Sequence, residues 1–163
     1  MHSKIYQIAR KPIGVENYVG SDKFYDNSSD FADYIGDEMV GDDRRDCIGS
    51  LASSLADLFD LDAEHDALVF KGKAALGTFR RKWVERIHAE AAKITTLNVL
   101  SGHLRFELEE VCNQTHKRLE SRFYIVGWND YAAPLEDLIQ FVAHENMIKG
   151  SRLYIGAVID FHY

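Results

Sequence analysis

Apolar residues recur every three or four positions in three long stretches of the chain, and this spacing predicts amphipathic helices. The stretches cover about residues 43–60, 73–94 and 97–113. Their apolar stripes are Ile48, Leu51, Leu55 and Leu58, then Leu76, Phe79, Trp83, Ile87 and Ile94, then Leu97, Leu100, Leu104, Leu108 and Val111. Gly102 weakens the third helix by about 1 kcal/mol relative to alanine, which does not require a break. A shorter helix is expected at 134–144, with Pro134 at its first position.

β-Branched and aromatic residues dominate three other segments, near 3–10, 121–128 and 151–161, and these are expected to be strands. In the last of them every second residue from Leu153 to Ile159 is apolar, which predicts one continuous buried face. The segment 66–70 is short and apolar, so its period does not decide between strand and helix.

Strands at both ends of the chain and one late strand, with long helices between them, predict an α+β fold. We expect a small, mainly antiparallel sheet of about three to four strands, in which the N- and C-terminal strands pair and the helices pack on one face. A chain of 163 residues is long enough to bury one apolar core, and no linker or repeat interrupts the pattern. Residues 1–163 are therefore expected to form a single domain.

The composition is that of a folded protein outside the membrane. Hydrophobic residues make up 46% of the chain, but its apolar runs span only a few residues, whereas a membrane helix needs about 20. The N-terminus lacks the apolar core of a signal peptide. Cys47 and Cys112 have no CxxC neighbour, so both are expected to be reduced thiols in the cytoplasm.

The charge is divided into two blocks of opposite sign. Residues 16–66 contain 15 acidic and three basic residues, whereas residues 71–122 contain 11 basic and six acidic residues. The blocks either neutralise each other within the fold or leave an acidic surface for a partner. On the second interpretation, the residues expected to make the contact are Asp37, Asp42, Asp43, Asp46 and Tyr34.

Aromatic side chains are concentrated in the same acidic part of the chain. They belong to Tyr18, Phe24, Tyr25, Phe31 and Tyr34. The surrounding sequence follows neither a helical nor a strand period, so these rings have two interpretations. They either pack an irregular segment onto the sheet or contribute to a partner-binding patch.

Three functions are compatible with these patterns. The first is a non-enzymatic interaction or adaptor protein that contacts a basic protein partner through its acidic, aromatic N-terminal half. The second is an acidic mimic of nucleic acid, of the kind that mobile elements direct against restriction or CRISPR systems. The third is an enzyme with an unrecognised site, for which the candidate residues are His88, His103, Glu107 and Cys112.

No motif in the sequence identifies a cofactor or a metal site. The phosphate-binding patterns GxxxxGK[ST] and GxGxxG are absent. Glu85 and His88 form one ExxH pair, but a di-iron carboxylate site requires a second pair, which the chain lacks. Direct binding of nucleic acid is disfavoured, because the net charge is −7 and Trp83 lies on an apolar stripe.

Overall fold

The chain is built around one mixed β-sheet, seen in a computed structural model that describes residues 2–25, 31–102, 104–116 and 120–163. The strands are β1 (His2–Ala9), β2 (Tyr34–Glu38), β3 (Phe59–Asp62), β4 (Ala67–Phe70), β5 (Arg122–Ile125) and β6 (Arg152–His162). The α-helices are α1 (Gly41–Ser54), α2 (Lys73–Ala91), α3 (Thr96–Leu100), α4 (Leu104–His116) and α5 (Leu135–His144). Two 3₁₀ turns, Val15–Asn17 and Ser21–Phe24, lie between β1 and β2.

The two terminal strands form the centre of the sheet, whose order is β3-β4-β6-β1-β5. β1 and β6 pair, as the sequence predicts, and run antiparallel, whereas β1 and β5 run parallel. The other edge of β6 is shared by two short strands. β4 pairs with it around Leu153, and β2 pairs with it around Phe161.

The predicted sheet of three or four mainly antiparallel strands is therefore wrong, because the sheet has six strands and includes a parallel pair. The missed strands, β2 and β3, are five and four residues long and contain Gly or Asp, which are depleted in strands. The parallel pairing depends on the path of the chain between β1 and β5, which a local pattern does not encode.

The two faces of the sheet are covered in different ways. One face packs against α1, α2 and α5 and contains the larger apolar core. On the other face Phe24 is buried against Ile5 and Phe161, and Tyr18 and Phe31 are partly buried beside it. Of the five aromatic residues with two interpretations, these three therefore pack the irregular segment onto the sheet. Tyr25 and Tyr34 remain exposed.

A β-bulge in β6 reverses which face of the sheet its alternating side chains point to. Gly156 and Ala157 together face the single residue Gln7 of β1. Gln7 is buried, and its Oε1 accepts hydrogen bonds from the amides of Ala157, at 3.0 Å, and Val19, at 3.1 Å. The continuous face predicted from Leu153 to Ile159 is therefore wrong: Leu153 and Ile155 belong to one core, and Ala157 and Ile159 to the other.

Three of the predicted helices differ from their apolar stripes, and α2 ends at Ala91, before Ile94. α1 ends at Ser54, and the chain then turns into β3, although Leu55 and Leu58 continue the helical spacing. The helix expected at 97–113 is two helices, because α3 ends at Leu100 and Gly102 adopts a positive φ of 77°. A positive φ is left-handed backbone, which glycine adopts without steric cost and which terminates a helix.

The second half of α2 extends away from the core together with α3 and α4. We call Arg80–Ala91, α3 and α4 the helical arm, and the rest of the described chain the body. Phe79 is the last buried residue of α2, and none of the described residues in the range 80–113 is buried. Trp83, Ile87 and Leu104 are half-buried, and α4 packs along α2.

Candidate interaction surface

Five carboxylates are exposed where β2 leads into α1. We call this surface the acidic edge, and its residues are Asp37, Glu38, Asp42, Asp43 and Asp46. β2 is held on the sheet by its pairing with β6 and by the buried side chain of Ile35. α1 turns Ile48 and Leu51 into the core, which leaves its three aspartates on the solvent side. Acidic residues in the first turn also interact favourably with the positive end of the helix.

Arg44 is the residue of α1 that fixes the acidic edge to the sheet. Its guanidinium donates hydrogen bonds to the carbonyl oxygens of Ile155, at 2.8 Å, and Gly156, at 2.8 and 3.1 Å. It also forms a 2.5 Å ion pair with Asp66 and lies 5.5 Å from the centre of the Tyr18 ring. These carbonyls lie between the stretches of β6 that pair with β4 and with β2. The Arg44 side chain therefore donates hydrogen bonds to carbonyl oxygens of β6 that neither β2 nor β4 reaches with its backbone amides.

Most carboxylates of the acidic edge are not neutralised by the later basic block. Asp42 pairs with Arg45, which belongs to the same acidic segment. Among the residues that the structure describes, Asp37, Asp43 and Asp46 have no cationic side chain within 4.0 Å. The charge of these three carboxylates is thus available to a partner.

The acidic residues nearer position 60 behave differently. Asp57 pairs with Lys82 at 3.1 Å, and Asp60 pairs with Lys71 at 3.0 Å, so here the two charge blocks do cancel. Asp62 accepts hydrogen bonds from His65 and Arg152, which together hold the pKa of its carboxyl below its ordinary value. The two interpretations of the charge blocks therefore apply to different parts of the acidic segment.

Tyr34 lies at the start of β2, opposite His162 of β6, and is 64% exposed. β2 has β6 as its strand partner, and in the described part of the chain no strand pairs with its outer edge. β2 thus carries an exposed ring at its start and leads into the carboxylates of the acidic edge, and the Ser21–Phe24 turn contacts this strand.

The residues considered for an enzyme are only partly within the described chain. His103 lies outside the described residues. His88 and Cys112 are exposed on α2 and α4, and Glu107 lies near Lys93. Across 2–25, 31–102, 104–116 and 120–163, no group of three or more His, Cys, Asp and Glu side chains is placed to hold a metal ion. A catalytic role for these residues remains a prediction.

The other cysteine, Cys47, lies on α1 near Lys4 and Tyr6, and the Tyr6 hydroxyl donates to its carbonyl oxygen. Burial raises the pKa of the Cys47 thiol, and Asp160 and Asp43 raise it further, although Lys4 acts in the opposite direction. Burial also raises the pKa of Tyr6. A raised pKa favours the protonated thiol over the nucleophilic thiolate at neutral pH.

The uneven distribution of charge predicts Asp37, Asp42, Asp43 and Asp46 as contact residues, and their role stays a prediction. The sequence gives no indication of the roles of Arg44 and Gln7. Both are single polar residues whose side chains replace backbone partners inside the sheet. No spacing or motif marks such a role, because it follows from a gap and a bulge in strand pairing.

Comparison with protein-family models, with curated proteins and with solved structures finds no match. In the described part of the chain, no helix combines the length and the apolar character that are needed to span a bilayer.

Proposed function

We propose that this protein is a non-enzymatic interaction protein whose acidic edge contacts a basic segment of a protein partner. The observation that carries the proposal is the unequal pairing of acidic residues. Asp37, Asp43 and Asp46 make no ion pair within the described chain, whereas Asp57 and Asp60 are paired with lysines. Unpaired like charges on one surface attract an oppositely charged partner and orient its approach.

The open outer edge of β2 suggests the form that this partner segment takes. An extended segment is able to add to a free strand edge through main-chain hydrogen bonds, while alternate side chains reach the neighbouring surface. Lysine or arginine side chains of such a segment meet Asp37 and the aspartates of α1, and the exposed ring of Tyr34 adds apolar contact. We also keep the cytoplasm as the proposed compartment, on the cysteine content of the sequence alone.

The test is a titration of the protein with fluorescent 12-residue peptides in which lysine or arginine alternates with valine or threonine. Replacing Asp37→Asn and Asp43→Asn together should weaken binding at least about tenfold, because charge pairs at interfaces contribute roughly 1 kcal/mol or more each. Both carboxylates are exposed and make no described ion pair, so the fold should be unaffected.

The matched control removes the same number of charges from the neutralised region, with Asp57→Asn and Asp60→Asn together. This control should change the dissociation constant less than about twofold. Equal weakening in both variants would mean that the peptides respond only to net charge, which overturns the proposal. Loss of peptide binding when duplex DNA is added as a competitor for the same basic partner would favour the nucleic-acid mimic.

A further inference from the structure

A cavity of about 290 Å³ lies between α2 and α5. Its floor is apolar and is made by four buried side chains, those of Phe70, Leu76, Val142 and Met147. Its rim is formed by Lys73, Gly77 and Arg80 of α2 and by Ala143 and Asn146 at the end of α5. A volume near 300 Å³ is at the lower limit of the size of small-molecule sites, roughly 300 to 1,000 Å³.

Gly77 lines the cavity and places no side chain in it. A Cβ atom built at this position meets no atom within 4 Å, although the residue lies inside a 19-residue helix. Glycine inside a helix costs about 1 kcal/mol relative to alanine, so a larger residue at this position would favour the helix. An alanine or a larger residue at the same position would occupy space that the fold leaves empty.

The charges at the rim have one sign. Lys73 and Arg80 are seven residues apart on α2, both are exposed, and in the described chain neither has a carboxylate within 4.0 Å. By contrast, the neighbouring Lys71 and Lys82 pair with Asp60 and Asp57. Among the residues that the structure describes, no Asp or Glu lines the cavity, and the amino-terminal end of α2, which begins at Lys73, adds its partial positive charge.

We propose that this cavity binds a small organic anion with an apolar body. The apolar body lies on the floor beside Phe70 and Met147, and the carboxylate or phosphate head lies between Lys73 and Arg80. The floor removes apolar surface from water, and the two cations hold the head group without a competing internal carboxylate. A cationic ligand of the same shape is excluded by the charge of the rim.

The first experiment compares three probes by NMR titration of the full chain: octanoate, octylamine and inorganic phosphate. Octanoate should shift amide signals of residues 70–80 and 142–147. Octylamine has an alkyl tail of nearly the same length with the opposite charge, and phosphate has no tail, so both should bind at least about tenfold more weakly. Equal affinity for octanoate and octylamine overturns the proposal, since it would indicate only partition onto apolar surface. Signals that shift only at the exposed leucines of α3 overturn it as well.

The second experiment fills the cavity without disturbing its charges. Gly77→Leu should weaken octanoate binding at least about tenfold while the melting temperature stays equal or rises, because leucine is a better helix former than glycine. The matched control is Gly49→Leu, since Gly49 is also inside a helix with open space at its Cβ. This control should leave octanoate binding within about twofold.

If Gly77→Leu does not fold, the charge variants decide the question. Lys73 and Arg80 are exposed and make no described ion pair, so Lys73→Gln and Arg80→Gln together should keep the fold. They should weaken octanoate binding at least about tenfold and reduce its dependence on salt. Unchanged octanoate binding in this double variant contradicts the proposal.

Discussion

The body and the helical arm share one continuous helix, α2, yet they are stabilised to different degrees. Phe79 is fully buried against the sheet, whereas Ile87, eight residues later on the same stripe, is only half-buried. The apolar spacing is equally regular on both sides of this boundary. The difference is therefore in what covers the stripe: the sheet and α5 in the body, and mainly the single helix α4 in the arm.

This contrast shows that helical periodicity predicts an element but not how firmly it is held. Most of the stability of a helix in a protein comes from burial of its apolar face rather than from its intrinsic propensity. Two helices in contact bury only part of their facing stripes, and α3 leaves Leu97 and Leu100 largely exposed. The arm should therefore open locally at a lower free energy than the body.

The largest effect is expected for a core truncation on the body side of the boundary. Phe79→Ala should lower the free energy of unfolding by about 3–5 kcal/mol, because it removes a fully buried ring and leaves a cavity. Urea denaturation followed by circular dichroism measures this change. A loss below about 1 kcal/mol would show that the body is not the more tightly packed region.

A smaller effect is expected for the equivalent truncation in the arm. Ile87→Ala should cost about 1 kcal/mol or less, because the side chain is already partly in water and its removal leaves no closed cavity. Hydrogen exchange adds a second measurement. Amides of residues 81–91 and 104–113 should exchange through openings of lower free energy than those of residues 5–8. Equal protection of the two regions would remove the distinction between body and arm.

The smallest effect concerns pH and should be confined to the body. Burial raises the pKa of Asp160, but hydrogen bonds from Lys4, at 2.6 Å, and His2 outweigh it and place the pKa below the ordinary value of 3.8. Because the pKa of this carboxyl is lower in the folded state than in the unfolded state, its ionised form stabilises the protein at pH values above the unfolded-state pKa. This stabilisation is lost as the pH falls through the folded-state pKa.

Wild-type protein should therefore lose stability below about pH 4, by less than about 1 kcal/mol from this partly exposed group. Asp160→Asn should show a shallower decline over the same range, measured by urea denaturation between pH 7 and pH 2.5. Identical slopes for the two proteins would exclude a contribution from this ion pair.

The sequence predicted the helices and strands whose own residues show a clear hydrophobic or capping pattern. The apolar stripe of α2, the acidic first turn of α5 and the hydrophobic strands at the two termini are all local patterns. β2 and β3 were missed because they are short and acidic, and they are strands only because β6 and β4 provide partners. The parallel position of β5 and the bulge opposite Gln7 likewise depend on the assembled sheet.

The same limit applies to the candidate sites. The distribution of charge along the sequence predicted an acidic region, but it did not distinguish Asp43 from Asp57. Asp43 makes no ion pair within the described chain, whereas Asp57 pairs with Lys82. That separation depends on where α2 passes the acidic segment. No sequence pattern predicted the cavity beside Gly77 either. A single glycine in an apolar helical pattern indicates only a position of weak helix propensity.

The open margin formed by β2 has a further consequence for how molecules of this protein meet one another. Unpaired backbone groups at a sheet margin are a template on which an identical chain is able to stack and begin an aggregate. Here the strand is only five residues long and carries Asp37 and Glu38, with the aspartates of α1 alongside. An approaching copy presents the same negative groups and should be repelled. The carboxylates should therefore discourage aggregation, in addition to making the partner contact proposed above.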